Sequence, residues 1–115
     1  MKILVLAKID ELAQDFLKAP RIEKRNETRL GLTIDYEVDS GEYSEKSIWF
    51  DGVRNFKHTP ESKVTADMVH AYNSICEVVD SDWVEDKLRK QGHKHYIIYF
   101  DGFGAFEINA TSFQL

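Results

Sequence analysis

The chain has 115 residues, of which 43% are hydrophobic and 12% aromatic, and it contains only two prolines and six glycines. These values exclude a disordered or linker-rich chain and predict one globular domain over residues 1–115. Twenty acidic residues against fifteen basic ones give a net charge of −5. That is the wrong sign for binding nucleic acid or an anionic membrane surface.

The cysteine content indicates a reducing compartment. Cys76 is the single cysteine, which excludes an intrachain disulfide framework and a thiolate zinc site and favours the cytoplasm. The apolar run at residues 3–7 ends at Lys8 and Asp10, so it is too short for a signal peptide. No run approaches the ~18 apolar residues of a membrane span.

Four elements are predicted in the first half of the chain. Apolar residues at helical spacing predict a helix over 9–18, and residues 3–7 either extend it or form a short strand. Residues 30–38 alternate between apolar and polar side chains, which predicts a half-buried antiparallel strand. The turn signal Ser40–Gly41 and the β-favouring run 47–50 complete a hairpin, and residues 53–58 continue extended.

The second half begins with an ambiguous segment. Residues 66–79 fit either a helix or a strand, with a strand favoured for 72–79. Residues 80–92 predict a helix, because Asp80-Ser81-Asp82 followed by Glu85 has a capping-box pattern and Gly92 follows a basic last turn. Residues 96–100 and 105–110 predict a second hairpin, joined by a glycine turn.

The predicted order is therefore α-β-β-β-α-β-β. Strands that come mostly as hairpins favour an α+β fold, with a mainly antiparallel sheet of about five strands and two short helices.

Two segments stand out because each holds five carboxylates and no basic residue. The first contains Asp35, Glu37, Asp39, Glu42 and Glu45, and the second contains Glu77, Asp80, Asp82, Glu85 and Asp86. If the fold brings the segments together, they form a negative surface suited to a basic protein partner, with Trp83 as a contact anchor if it is exposed. Alternation on a strand and the helix dipole explain many of these positions without function.

A second set of residues is a candidate lining for a ligand pocket on a concave sheet face. It consists of Trp49, Arg54, His58, Tyr72 and His95. His93 and His95 place two imidazoles on one face of an extended segment, but the spacing supplies no third metal ligand. Cys76 has apolar and acidic neighbours, which favours a buried structural thiol over a nucleophile. No metal or cofactor is predicted.

Four stretches together resemble a family of small bacterial proteins of unassigned function. They are Arg29–Tyr36, Ile48–His58, Glu77–Trp83 and His95–Asp101. The resemblance extends from about residue 10 to the end of the chain, and it implies a bacterial origin and a stand-alone domain. It implies no catalytic residue, cofactor or substrate.

The leading hypothesis from the sequence is a non-enzymatic protein-binding module, such as an immunity protein or another inhibitor of a basic partner. The alternative is a small-ligand-binding protein or an enzyme that uses a concave sheet face. A third reading is a subunit of a homo-oligomer assembled through an exposed hairpin edge.

Overall fold

A computed structural model describes residues 1–9, 19–37 and 41–115, except for the side chains of residues 36 and 37. Within these ranges there are nine strands: β1 Ile3–Lys8, β2 Arg21–Lys24, β3 Leu30–Glu37, β4 Tyr43–Asp51, β5 Asn55–Thr59, β6 Ser74–Val78, β7 Lys94–Phe100, β8 Gly104–Ala110 and β9 Ser112–Gln114. The same ranges contain two short helices, α1 Ala66–Val69 and α2 Asp86–Lys90, and a 3-10 turn at Glu61–Lys63. None of the helices described is long and apolar enough to cross a membrane.

The strands form two antiparallel sheets. The first has five strands in the order β1-β6-β7-β8-β5, and the second has four in the order β2-β3-β4-β9. Strand β7 is buried on both faces from His95 to Phe100, as the apolar run Tyr96–Phe100 predicts for a central strand. Strand β1 is an edge that exposes Leu4, Val5 and Leu6, the kind of edge through which copies of a chain can associate.

The main core lies between the two sheets. Alternate residues of β3 and β4 meet alternate residues of β7 and β8, so that Phe50 and Tyr96 pack with their ring centroids 5.7 Å apart. The buried members from the two sheets are Leu30, Leu32, Ile34, Ile48 and Phe50 on one side, and Ile75, Tyr96, Ile98, Phe100, Phe106, Ile108 and Ala110 on the other. The intervening residues of each strand therefore point to the two outer faces.

The outer face of the five-stranded sheet is also covered. Helix α1 and its flanks bring Val64, Met68 and Ala71 onto Cys76 and Ile97 of β6 and β7. The remainder of this face, at His95, Glu107 and Asn109, is also buried. Because buried polar side chains require hydrogen-bond partners, this second region is a candidate functional site.

Several sequence expectations are confirmed. The fold is mainly antiparallel with two short helices, and both predicted hairpins form, as β3–β4 and β7–β8. The ambiguous residues 3–7 are strand, and the ambiguous 66–79 region divides into α1 and β6. Residues 10–18 of the first predicted helix lie outside the described part of the chain.

Two expectations are wrong. The estimate of about five strands in one sheet misses the four-stranded second sheet, because the short strands β2 and β9 carry no alternating pattern that identifies them. The helix predicted over 80–92 forms only at Asp86–Lys90, with Glu85 as an N-cap that makes no side-chain hydrogen bond. Ser81 does not cap this helix because its hydroxyl is bonded to His95 in β7.

The β7–β8 turn gives a test of the packing between β8 and β5. Gly104 has φ +99°, and a Cβ there would lie 2.0 Å from the carbonyl oxygen of Thr59, whereas Gly102 has φ +85° with open space around it. We expect Gly102→Ala to lower the free energy of unfolding by about 1 kcal/mol from backbone strain alone. Gly104→Ala adds the clash and should cost more than about 3 kcal/mol in urea unfolding. Equal losses would contradict the close approach of β5.

Candidate functional site

A chain of buried hydrogen bonds crosses the outer face of the five-stranded sheet. His95 Nε2 lies 2.8 Å from Glu107 Oε1, and His95 Nδ1 lies 2.5 Å from Ser81 Oγ. Nε2 thus pairs with the Glu107 carboxylate, and Nδ1 pairs with the Ser81 hydroxyl. The Ser81 oxygen in turn accepts the N–H of Trp83 at 3.1 Å. The chain thus joins β8, β7 and the segment that follows β6.

Trp83 and Lys57 complete the surroundings of this chain. The Trp83 ring packs edge-on against the His95 imidazole, with centroids 4.8 Å apart. Lys57 places its Nζ 5.0 Å from the Trp83 ring centre and 3.5 Å from Glu107 Oε2. That second oxygen is buried and within ion-pair distance of Lys57, but it makes no hydrogen bond to the described residues.

Asn109 is a second buried polar residue on the same face. It lies opposite His95 in the β7–β8 pairing and opposite Asn55 in the β5–β8 pairing. Its Oδ1 is 3.0 Å from Nδ1 of His93, which donates to it. Its Nδ2 is buried and has no hydrogen-bond partner among the described residues. A buried donor without a partner costs about 1–3 kcal/mol and calls for an explanation.

Ser81, His95 and Glu107 are the residue types of a serine–histidine–carboxylate triad, and the distances suit proton transfer. The surroundings differ from those of an activated nucleophile. Ser81 is only 6% exposed, and its oxygen already accepts the Trp83 N–H. Little surface is left for attack on a substrate carbonyl, so the geometry favours a structural role: the chain fixes the segment 80–86 to the sheet.

This anchored segment carries the second acidic sequence. Asp80, Asp82, Glu85 and Asp86 are all exposed, and they surround an open depression of about 450 Å³. Ser81, Val84 and Arg89 complete its lining. Four carboxylates against one guanidinium make the depression negative.

Asp80 is partly engaged inside the chain. Its carboxylate accepts the backbone N–H of Lys2 at 2.6 Å and lies 3.8 Å from the terminal ammonium of Met1. The Lys2 hydrogen bond is the main reason that the pKa of Asp80 is lowered. Asp82 and Asp86 have no ion-pair partner among the described residues. Together with Glu85, which is also exposed and in no ion pair with a described residue, they are available for a partner.

The first acidic segment lies elsewhere. Asp35 is buried on the outer face of the four-stranded sheet, 3.6 Å from Arg21, and Glu45 is 2.8 Å from the same guanidinium. Glu42 is exposed near this hairpin, whereas Asp39 and the side chain of Glu37 lie outside the description. Asp35 and Glu45 therefore lie on the outer face of one sheet, whereas the segment 80–86 is bonded to the outer face of the other.

Trp83 lines a cleft that is distinct from the acidic depression. Its volume is about 290 Å³, and it is lined by Arg54, Asn55, Trp83, Glu85, Lys87, Leu88 and Gln91. It runs between strand β5 and the segment leading into α2. Glu85 lines both this cleft and the acidic depression.

The five predicted ligand-pocket residues do not gather in one place. Trp49 lies on the four-stranded sheet beneath Arg25 and Arg29. His58 stacks on Phe106 and bonds the Phe103 carbonyl oxygen. Tyr72 is 50% exposed and packs near Tyr99. Only Arg54 and His95 are brought near each other, through Trp83, which lines the Arg54 cleft and contacts His95.

Sequence reasoning overlooked Ser81, Lys57, Glu107 and Asn109 as members of a polar site. A signal for two of them was present, since Glu107 and Asn109 alternate with apolar residues in a strand that is otherwise buried. Polar side chains at every second position of a core strand indicate a polar region on one face.

The described residues contain no group of three or more His, Cys, Asp or Glu side chains that could hold a metal ion. Comparison of the chain with protein-family models, with curated proteins and with solved structures gives no match. Functional inference therefore depends on the geometry above.

The structural role of the buried chain can be tested at Ser81. Ser81→Ala removes the donor to His95 and leaves a buried imidazole nitrogen without a partner, so we expect a loss of about 1–3 kcal/mol in the free energy of unfolding. Ser62→Ala, at an exposed position, should change it by less than about 0.5 kcal/mol. Urea unfolding followed by circular dichroism measures both. Equal stability of the two variants would contradict the assigned role.

Cys76 provides a test of the second core region. Burial raises the pKa of this thiol to about 11, so about 1% is ionised at pH 9, against most of an exposed thiol. We expect the native protein to react with Ellman's reagent at pH 9 about a hundredfold more slowly than the same protein in urea. Comparable rates would mean that the thiol is accessible in the folded state.

Proposed function

We propose that this protein is a non-enzymatic binding module that captures a basic segment of a protein partner, as an inhibitor or immunity protein does. The observation that carries the proposal is the acidic depression bounded by Asp80, Asp82, Glu85 and Asp86. Its four carboxylates suit a lysine or arginine side chain, because carboxylates and a guanidinium form the stronger class of hydrogen bonds. The unpaired Cys76 thiol suits a cytoplasmic setting.

Charge availability distinguishes this surface from the first acidic segment. Arg21 pairs with both Asp35 and Glu45 and offsets one of their two charges, so that hairpin offers less negative charge to a partner. Asp82 and Asp86 are exposed and unpaired in the described part of the chain. We therefore assign the contact to the segment 80–86 alone.

Rigidity supports the same assignment. The backbone carrying these carboxylates is attached to the sheet through Ser81, His95 and Glu107, and to β1 through Asp80 and Lys2. A surface held in one conformation loses little entropy when a partner binds, which improves affinity without further contacts. Complementary charge also speeds association.

The proposal predicts a site-specific charge effect. A fluorescent oligoarginine peptide should bind the protein at low ionic strength and weaken as salt rises. The double variant Asp82→Asn/Asp86→Asn should weaken binding about tenfold, because two exposed charges that face the peptide are lost. Fluorescence anisotropy measures the dissociation constants.

The matched control is Glu23→Gln/Glu27→Gln, which changes the net charge equally at exposed positions of the other sheet. It should retain binding within about twofold. Affinity capture from the native host extends the test to the unmodified protein, the Asp82/Asp86 variant and the control. A partner captured by the unmodified protein must also be captured by the control and must be lost by the Asp82/Asp86 variant. If both double variants lost the same amount of peptide affinity, the net charge of the protein and not the acidic depression would explain binding, and the proposal would be wrong.

A further inference from the structure

The cleft between Trp83 and strand β5 has a chemistry opposite to that of the acidic depression. Arg54 and Lys87 stand at its rim, both exposed. Neither is in an ion pair with another described residue. Lys57 adds a third cation above the Trp83 ring. Because Lys57 is paired with Glu107, the local positive excess comes from Arg54 and Lys87, which outnumber Glu85 in the lining. This excess lies in a protein of net charge −5.

The cleft also presents uncharged recognition groups. The half-buried Trp83 ring forms part of its wall, and the Asn55 and Gln91 amides supply hydrogen-bonding groups. Its volume of about 290 Å³ is near the lower limit of about 300 Å³ for small-molecule sites. Five of the seven lining residues are polar or charged, which favours a small charged ligand over an apolar one.

Glu85 sets the orientation of the ligand. It is the one carboxylate in the lining of the cleft, so an anionic group is favoured toward Arg54 and Lys87 and disfavoured beside Glu85. A planar ring is favoured against Trp83, where the indole supplies stacking area. Any ligand that fits these preferences has a planar ring that carries an anionic group.

From these features we infer that the cleft formed by Arg54, Asn55, Trp83 and Lys87 binds a small aromatic or heteroaromatic anion, a carboxylate or a phosphate. The anionic group pairs with Arg54 and Lys87, and the ring lies against Trp83. The Asn55 and Gln91 amides form hydrogen bonds with its polar edge. This site is separate from the acidic depression and does not depend on the function proposed above.

Tryptophan fluorescence and calorimetry test the inference in a Trp49→Phe background, where Trp83 is the remaining tryptophan. The probes are adenosine 5′-monophosphate and 4-hydroxybenzoate, which distinguish a phosphate from a carboxylate. We expect at least one of them to quench Trp83 and bind with a dissociation constant below about 1 mM. Inorganic phosphate and acetate, which lack a ring, should bind at least about tenfold more weakly.

The variant Arg54→Gln/Lys87→Gln, at exposed positions that should not disturb folding, should lose at least about tenfold in affinity for the bound probe. The control Lys24→Gln/Lys63→Gln, also exposed, removes the same charge elsewhere and should leave affinity unchanged. Three results would each overturn the inference: neither ring-bearing probe binds with a dissociation constant below about 1 mM, the ring-less anion binds as tightly, or both double variants lose affinity equally.

Discussion

The buried carboxylate of Glu107 is the constraint on which the candidate surfaces depend. Only 1% of the residue is exposed, and a buried charge costs several kcal/mol unless it is paired and hydrogen-bonded. His95 supplies the hydrogen bond, and Lys57 supplies the nearby positive charge. His95 then needs a partner at Nδ1, which Ser81 provides. Satisfying one carboxylate therefore fixes the segment 80–86 and, with it, both the acidic depression and the Trp83 cleft.

The positions of His95, Glu107 and Asn109 on strands β7 and β8 could largely be predicted from the sequence. The alternation over Leu30–Glu37 identifies the inner and outer faces of β3, and the glycine turn at residues 101–104 fixes the β7–β8 register, with Phe100 opposite Gly104. That register alone places His95 opposite Asn109 and diagonal to Glu107. The signal is local because a tight hairpin determines its own pairing.

The loop half could not be predicted in the same way. Asp80–Ser81–Asp82 followed by Glu85 has the local pattern of a helix cap, and nothing nearby in the sequence distinguishes a cap from a tertiary contact. The tertiary contact forms because Nδ1 of His95, fourteen residues away in the sequence, takes the Ser81 hydroxyl as its hydrogen-bond partner. The hydroxyl is then not available to cap the helix. The second sheet was missed for a related reason: β2 and β9 are short edges defined by their partners β3 and β4, and short edge strands have weak patterns of their own.

Counting charges in a sequence does not show which of them are free. Asp35 and Glu45 share Arg21, whereas Asp82 and Asp86 face solvent without a partner in the described chain. Two surfaces of opposite charge adjoin the anchored segment. The acidic depression carries the carboxylates, and the Trp83 cleft carries the Arg54 and Lys87 cations. Glu85 lines both sides, so the two surfaces lie close enough for unscreened electrostatic interaction. An anion held by Arg54 and Lys87 would neutralise the cations nearest Glu85 and make the depression more negative. By linkage, a basic partner in the depression would strengthen anion binding in the cleft by the same factor.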